Sequence, residues 1–282
     1  MGNFLDAAIE WLNPTRGLAR QTARAKIESI KRVQALYDGA TTGRRSYGWR
    51  VAGTDANTEI AGARVRLRNI SRDMVRNNPV ANRAVQIIKQ NVVGAGIIPS
   101  VRSTSKARQA RIQKLIQRHH ETTAIDVLGR LNLYGIQSQV MGGVVEGGEM
   151  LVRRHWSNDR RLALPFQVRV LEPDYLDSTV DGMLANGNIA RHGIECDKSG
   201  RRVAYHLYDE HPGSMWSFPQ KTTRVPAADI IHVYRADRGG QERGVTWFHA
   251  VVLRMRDLAD FIEAQLMRQK IAACYAAFVT SD

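Results

Sequence analysis

Apolar positions along the 282-residue chain recur first at helical spacing, then at strand spacing, then at helical spacing again. Phe4, Ala8, Trp11 and Leu12 fit one helical face until Asn13-Pro14 interrupts it. From Thr15 to Tyr37, Arg16, Arg20, Arg24, Lys31 and Arg32 interleave with Ile27, Ile30 and Val33, the pattern of a basic amphipathic helix. Residues 38–62, rich in Gly, Thr, Ala and Asn, read as a linker around Tyr47 and Trp49. The ordered body is expected near Ala63, with a helix from Arg64 to Arg76 that carries Val65, Ile70 and Val75 among arginines. Asn77-Asn78-Pro79 ends it and starts the next, with Asn78 as N-cap and Pro79 at the first helical position. That helix is expected to bury Val80, Ala84, Ile87 and Ile88 and to stop at Gly94. Ser105 caps a further helix reaching Thr122, with Ile112, Leu115 and Ile116 inward. Another is expected from Asp126 to Val145, against the helix-weakening Gly129, Gly135, Gly142 and Gly143.

The spacing then changes to two. Met150, Val152, Phe166, Val168 and Val170 alternate with polar residues in two strands. Ile189 to Asp197 and Arg202 to Tyr208 flank Lys198-Ser199-Gly200 as a hairpin. Ile230, His232 and Tyr234 lie on a last strand. After Gly244, Trp247, Val251, Met255, Leu258, Ile262 and Leu266 predict one long helix to about Val279, roughly 50 Å at 1.5 Å per residue. The fold class is α+β, with helices, then a small antiparallel sheet, then a long helix. Four segments follow: an arm over 1–62, a helical region over 63–148, a β-rich region over 149–243 and the long helix over 244–282.

Composition narrows the class. Hydrophobic residues at 43% and charged residues at 24% fit a folded protein. Cys196 and Cys274 cannot build a disulfide framework and fit a reducing compartment. The longest apolar run, Ile271 to Val279, is short of a bilayer span, and Asp6 and Glu10 interrupt the apolar N-terminus, so neither a membrane segment nor a signal peptide is expected. The formal charge of +14 is uneven: residues 1–120 hold 22 basic and 7 acidic residues, residues 121–282 hold 19 and 20. A polyanion or an acidic surface is the partner such asymmetry implies, with a solvated basic face as the alternative.

Motifs for chemistry are sparse. Gly94-Ala95-Gly96 follows a helix and meets Pro99 where a dinucleotide fingerprint needs Gly. There is no Walker A sequence and no Gly-x-Ser-x-Gly elbow. His119-His120 cannot both face one metal from a helix, and neither cysteine has a second ligand at metal spacing. The one enzyme candidate is a metal-dependent nuclease: Asp174 and Glu195 to hold Mg²⁺, Lys198 to polarise phosphate. Glu195 and Lys198 are one residue too far apart for that pattern, and Glu172, Asp174 and Asp177 equally well punctuate a strand end. His206, His211 and His232 read as ordinary strand and loop histidines, and residues 238–244 as a flexible charged connection. No catalytic residue, cofactor site or metal site is assigned.

Seven segments in order resemble the lambda-type family of bacteriophage portal proteins. They are Arg72-Asp73-Met74-Val75-Arg76-Asn77-Asn78-Pro79; Asn91-Val92-Val93-Gly94-Ala95-Gly96-Ile97; Gly148-Glu149; Leu171-Glu172-Pro173-Asp174; His192-Gly193-Ile194-Glu195 with Gly200-Arg201 and Ala204-Tyr205-His206; Arg224-Val225-Pro226-Ala227 with Ile231-His232; and Arg238-x-Gly240-Gln241-x-Arg243-Gly244. The last is the strongest, although Gly239 stands where the family usually has Pro.

The resemblance implies a non-enzymatic subunit of a ring, typically of twelve copies, at one capsid vertex. Double-stranded DNA would pass through it without sequence recognition during packaging and ejection. The implied partners are further copies of the chain, the major capsid protein, the terminase, and head-completion and tail adaptor proteins, with no membrane. The implied locations are the virion and, during assembly, the host cytoplasm. The family fold has a wing, a stem, a clip, a tunnel loop and a crown. The helix after Gly244 matches a stem helix, and the last two elements are expected to be missing because family chains continue past Asp282. On that reading Arg254, Arg256, Asp257, Asp260, Glu263, Arg268 and Lys270 give a nearly neutral channel helix that suits sliding. Trp247, Phe248, Val251, Met255, Leu258 and Ile262 become candidates for the ring interface, the commoner alternative being an ordinary core helix. The basic arm, Arg16, Arg20, Arg24, Lys31 and Arg32, would lie on the outer wing, near packaged DNA or against capsid.

Overall fold

A computed structural model describes residues 14–34, 44, 47–48, 53–215 and 221–275. It divides into two units, Met1–Gly53 and Thr54–Asp282. In the first, Pro14 opens helix α1 (Pro14–Gln34), on which Leu18 and Ile27 are exposed. The expected helical face from Phe4 to Leu12 and the side chains of Arg16, Lys31 and Arg32 lie outside what is described.

The second unit opens earlier than the expected Ala63. Asp55 accepts a hydrogen bond from Thr58 N and caps the short helix α2 (Ala56–Ala61). Four longer helices follow: α3 (Arg64–Asn77), α4 (Pro79–Val92), α5 (Lys106–His120) and α6 (Leu133–Gly147). The local stop and start signals behave as expected. Asn78 accepts from Val80 N and Ala81 N ahead of Pro79, Ser105 accepts from Arg108 N, and Gly94 adopts φ +57° beyond the end of α4. The inward faces differ from expectation. Helix α4 buries Ala81 and Val85 while Val80 and Ile87 are exposed, and α5 buries His119 rather than Ile112 and Leu115. Helix α6 starts at Leu133 instead of Asp126. The Asp126 carboxylate accepts hydrogen bonds from Leu128, Arg130 and Leu131 N and holds those residues in a loop, after which Asn132 caps the helix.

The strands form two antiparallel sheets instead of one. The first has the order β2-β1-β8, from β1 (Glu149–Trp156), β2 (Phe166–Leu171) and β8 (Ile230–Tyr234). The second runs β3-β4-β5-β6-β7, from β3 (Gly182–Met183), β4 (Ile189–Arg191), β5 (Ile194–Cys196), β6 (Arg202–Tyr208) and β7 (Thr222–Pro226). The expected strand from Ile189 to Asp197 is therefore two strands. His192 at φ +49° and Gly193 at φ +87° turn the chain between them. A core of Leu151, Leu171, Ile194, Tyr205, Leu207, Val225 and Ile230 joins the two sheets. Ile125, Ile136, Val152 and Val168 seat α6 on the first sheet, and Val75, Ala81, Val85, Val145, Phe248 and Val252 join the helices.

The long helix starts later than expected. Residues 244–251 form a loop that tucks Phe248 into the helical core, and α7 (Val252–Cys274) follows, about 35 Å long at 1.5 Å per residue.

Candidate functional site

Three of the sequence motifs meet at one buried carboxylate. Glu149, at the start of β1, is fully buried. Arg243 contacts it at 2.6 Å through Nη2 and at 3.0 Å from Nε to each oxygen, His232 Nε2 lies 3.0 Å away, Gly244 N donates at 2.8 Å, and Arg64 Nη1 donates at 3.4 Å. Burial pushes this carboxyl upward, but the charge of Arg243 and the hydrogen bonds from His232 and Arg243 win and hold it well below the usual range. Burial also lowers His232, against the pull of Glu149, so the imidazole is neutral at pH 7 and donates through Nε2. Burial lowers Arg64 to about 10.

Backbone geometry makes this meeting possible. Gly148 sits at φ +93°, and a Cβ there would lie 2.4 Å from the carbonyl carbon of Val245. A Cβ on Gly244 would lie 2.1 Å from the Gly148 oxygen. Gly-Glu at 148–149 and Arg-Gly at 243–244 are thus two halves of one close backbone crossing.

Residues 238–244 are not a flexible connection. Gln241 accepts from Asp237 N and Arg238 N through its side-chain oxygen and donates to the carbonyls of Arg235 and Arg243. Asn57 donates to Gly240 O and accepts from Glu242 N, both at 2.9 Å. Arg238 reaches Glu59 at 2.6 Å and Thr54 O at 3.1 Å. Helix α2, inside the expected linker, therefore clamps the loop that leads into α7.

A second ion-pair cluster lies beside the first. Arg68 donates to Asp174 at 2.8 Å, and Arg72 contacts Asp174 at 2.7 Å and Glu172 at 2.5 Å. Arg64, Arg68 and Arg72 are spaced by four along α3; Arg64 and Arg68 are buried there with Ser71 and Val75, and Arg72 is half-buried. Val65 is exposed. Sequence reasoning missed these arginines as structural residues. The available signal was their spacing of four opposite Gly148-Glu149 and Leu171-Glu172-Pro173-Asp174.

The nuclease candidates do not share a site. Asp174 is held by Arg68 and Arg72, while Glu195 is held by Arg224, Asn186, Asn188 and His206. Hydrogen bonds from Arg224 lead in holding Glu195 far below the carboxylate range. Lys198 belongs to neither cluster. Among the described residues, Glu172, Asp174 and His211 bring three metal-type ligand atoms together, with two guanidiniums already on the carboxylates.

Helix α7 leaves this framework directly. Only Val252 is buried on it, and Met255 packs against the same core. Arg254, Arg256, Asp257, Asp260, Glu263, Arg268 and Lys270 are all exposed. Of the interface candidates, Phe248 is buried in the chain's own core, Trp247 and Met255 pack against it, and Val251, Leu258 and Ile262 are exposed. An apolar groove runs between α3 and α7, lined among others by Val65, Met74, Val80, Leu258 and Ile262.

A family model described as phage portal protein, lambda family, matches residues 42–282, which include the hub, the motif loop and α7. The chain belongs to the lambda family of phage portal proteins. This portal chain is 28% identical over 263 residues to the probable portal protein of Halomonas phage phiHAP-1, covering 88% of its own length and 48% of the relative's. It is 25% identical over 273 residues to the portal protein of Escherichia phage N15, covering 87% and 50%. The portal chain spans about half the length of these curated relatives. A chain from the neck of an empty gene transfer agent particle aligns with a TM-score of 0.43 at 14% identity, covering 82% of this portal and 50% of that chain.

Proposed function

We propose that this portal chain is a non-enzymatic ring subunit at a capsid vertex, forming a head-tail connector through which double-stranded DNA is packaged and ejected. The observation that carries the reading is the state of α7. Beyond its first turns it exposes Leu258, Phe261, Ile262, Leu266, Met267 and Ile271, spread around the helix. Such a helix needs neighbours on more than one side. A closed ring supplies them through heterologous contacts, in which one face of a subunit meets a different face of the next. The groove between α3 and α7 is one such face, and Leu258 and Ile262 on its rim are our interface candidates.

The charges of α7 support passage without grip. Arg254, Arg256, Arg268 and Lys270 are nearly balanced by Asp257, Asp260 and Glu263, which limits the phosphate contacts any one subunit makes. In our reading residues 63–148 form the helical wing region, residues 149–243 supply wing and clip, and the long helix of 244–282 is the stem. Twelve copies, docking of terminase and then of head-completion and tail proteins, contact with the major capsid protein, and the virion and host cytoplasm as locations complete the proposal. The basic arm with Arg20 and Arg24 is assigned to capsid or packaged DNA.

The deciding experiment is native mass spectrometry with negative-stain imaging of the purified protein. Closed rings are expected. A monomer at every concentration, binding DNA with steep salt dependence, would overturn the ring, and Mg²⁺-dependent plasmid cleavage would overturn the non-enzymatic reading.

A further inference from the structure

Helix α5 is a cationic rod with little core of its own. Its fifteen residues include Lys106, Arg108, Arg111, Lys114 and Arg118 and no acidic residue. All five are exposed, and among the described residues none of them forms an ion pair. The helix is fastened at two points: Gln113 bonds Val101 N and Pro99 O, and His119, fully buried, lies 2.6 Å from Phe166 O. Arg108, Arg111, Lys114 and Arg118 follow at i, i+3, i+6 and i+10, which places them along one side over about 15 Å. A solitary helix of this length is marginal in water, and four unopposed like charges on one side weaken it further.

We infer that this side of α5 is a sequence-independent binding surface for the phosphate backbone of duplex DNA, separate from α7. Within the stripe lie Ala107 and Leu115, the latter 36% exposed, and no aromatic residue. A protein partner of matching charge would be met by a cluster of aromatic or large apolar anchors at the centre of the patch, and this stripe offers a single leucine. Four regularly spaced cations around one leucine match a uniform row of phosphates. The choice of DNA over another polyanion rests on the portal reading; the presence of a polyanion surface does not.

The test is the salt dependence of binding to a short fluorescent duplex, measured on the intact protein and on a variant with Arg108, Arg111, Lys114 and Arg118 each changed to Gln. The plot of log affinity against log salt should become shallower by about 3 to 4, near 0.9 per lost phosphate contact. Native mass should not change, so loss of the DNA surface and loss of the ring are read separately. A charge-preserving variant, with the three arginines changed to Lys, should keep the slope. An unchanged slope in the Gln variant, or a lost slope in the Lys variant, overturns the proposal. Retention on immobilised polyglutamate that disappears in the Gln variant while the DNA slope persists also overturns it, in favour of an acidic protein.

Discussion

Arg243 and Glu149 are buried face to face, with Nη2 2.6 Å from one carboxylate oxygen and Nε 3.0 Å from both. Arg243 also donates to His192 O at 2.8 Å, so one guanidinium ties β1 of the first sheet, the β4–β5 turn of the second and the loop entering α7. Removing one partner strands the other charge in the interior. Arg243→Ala should cost about 3–5 kcal/mol in chemical denaturation. Arg238→Ala, which removes an exposed pair with Glu59, should cost about 1 kcal/mol or less.

Acid should loosen the same hub. His232 is held below its ordinary value of 6.5 by burial, so the unfolded chain binds a proton that the folded chain refuses. Its contribution is therefore lost as pH falls below about 6.5. The Glu149 carboxyl is depressed, so its contribution is present above about 4.5 and is lost as pH falls further toward the lower native value. His120 and His155, also lowered chiefly by burial, add to the first limb. Thermal midpoints measured from pH 8 down to about pH 2.5 should decline in two stages, and His232→Gln should shrink the first stage while leaving the second.

The crossing of Gly148 and Gly244 admits no side chain. Gly244→Ala would drive a Cβ to 2.1 Å from a backbone oxygen, which only backbone movement can relieve. We expect a loss of about 2 kcal/mol or more in thermal unfolding. Gly239→Ala, where nothing lies within 4 Å of the added atom, should be nearly silent.

Leu258 is 42% exposed at the rim of the groove between α3 and α7. Leu258→Asp should lower ring yield by size-exclusion chromatography while circular dichroism stays unchanged. Loss of secondary structure instead would assign Leu258 to the chain's own core.

Asn78 holds the joint between α3 and α4 through its bonds to Val80 N and Ala81 N. Asn78→Ala should cost about 1 kcal/mol, measured by denaturant unfolding, and Asn78→Gly less.

The sequence by itself determined the elements whose signals are local. Asn78-Pro79, Ser105 and Gly94 marked helix ends because a cap satisfies backbone groups within one turn of itself. Period-two alternation likewise located β1, β2, β6 and β8, and the ordered motifs carried the family. What tertiary structure decided was which side of each element is inside. Arg64, Arg68 and Arg72 look like a solvent face until Glu149 and Asp174, some 85 to 106 residues onward, arrive to neutralise them. The same holds for the start of α7, delayed to Val252 because Phe248 finds a core built from three other helices, and for the loop 238–244, ordered by Asn57 and Glu59 from a segment that reads as linker. Periodicity records which residues share a side, but burying a charge depends on a counter-charge, and the chain supplies that counter-charge only once it has folded.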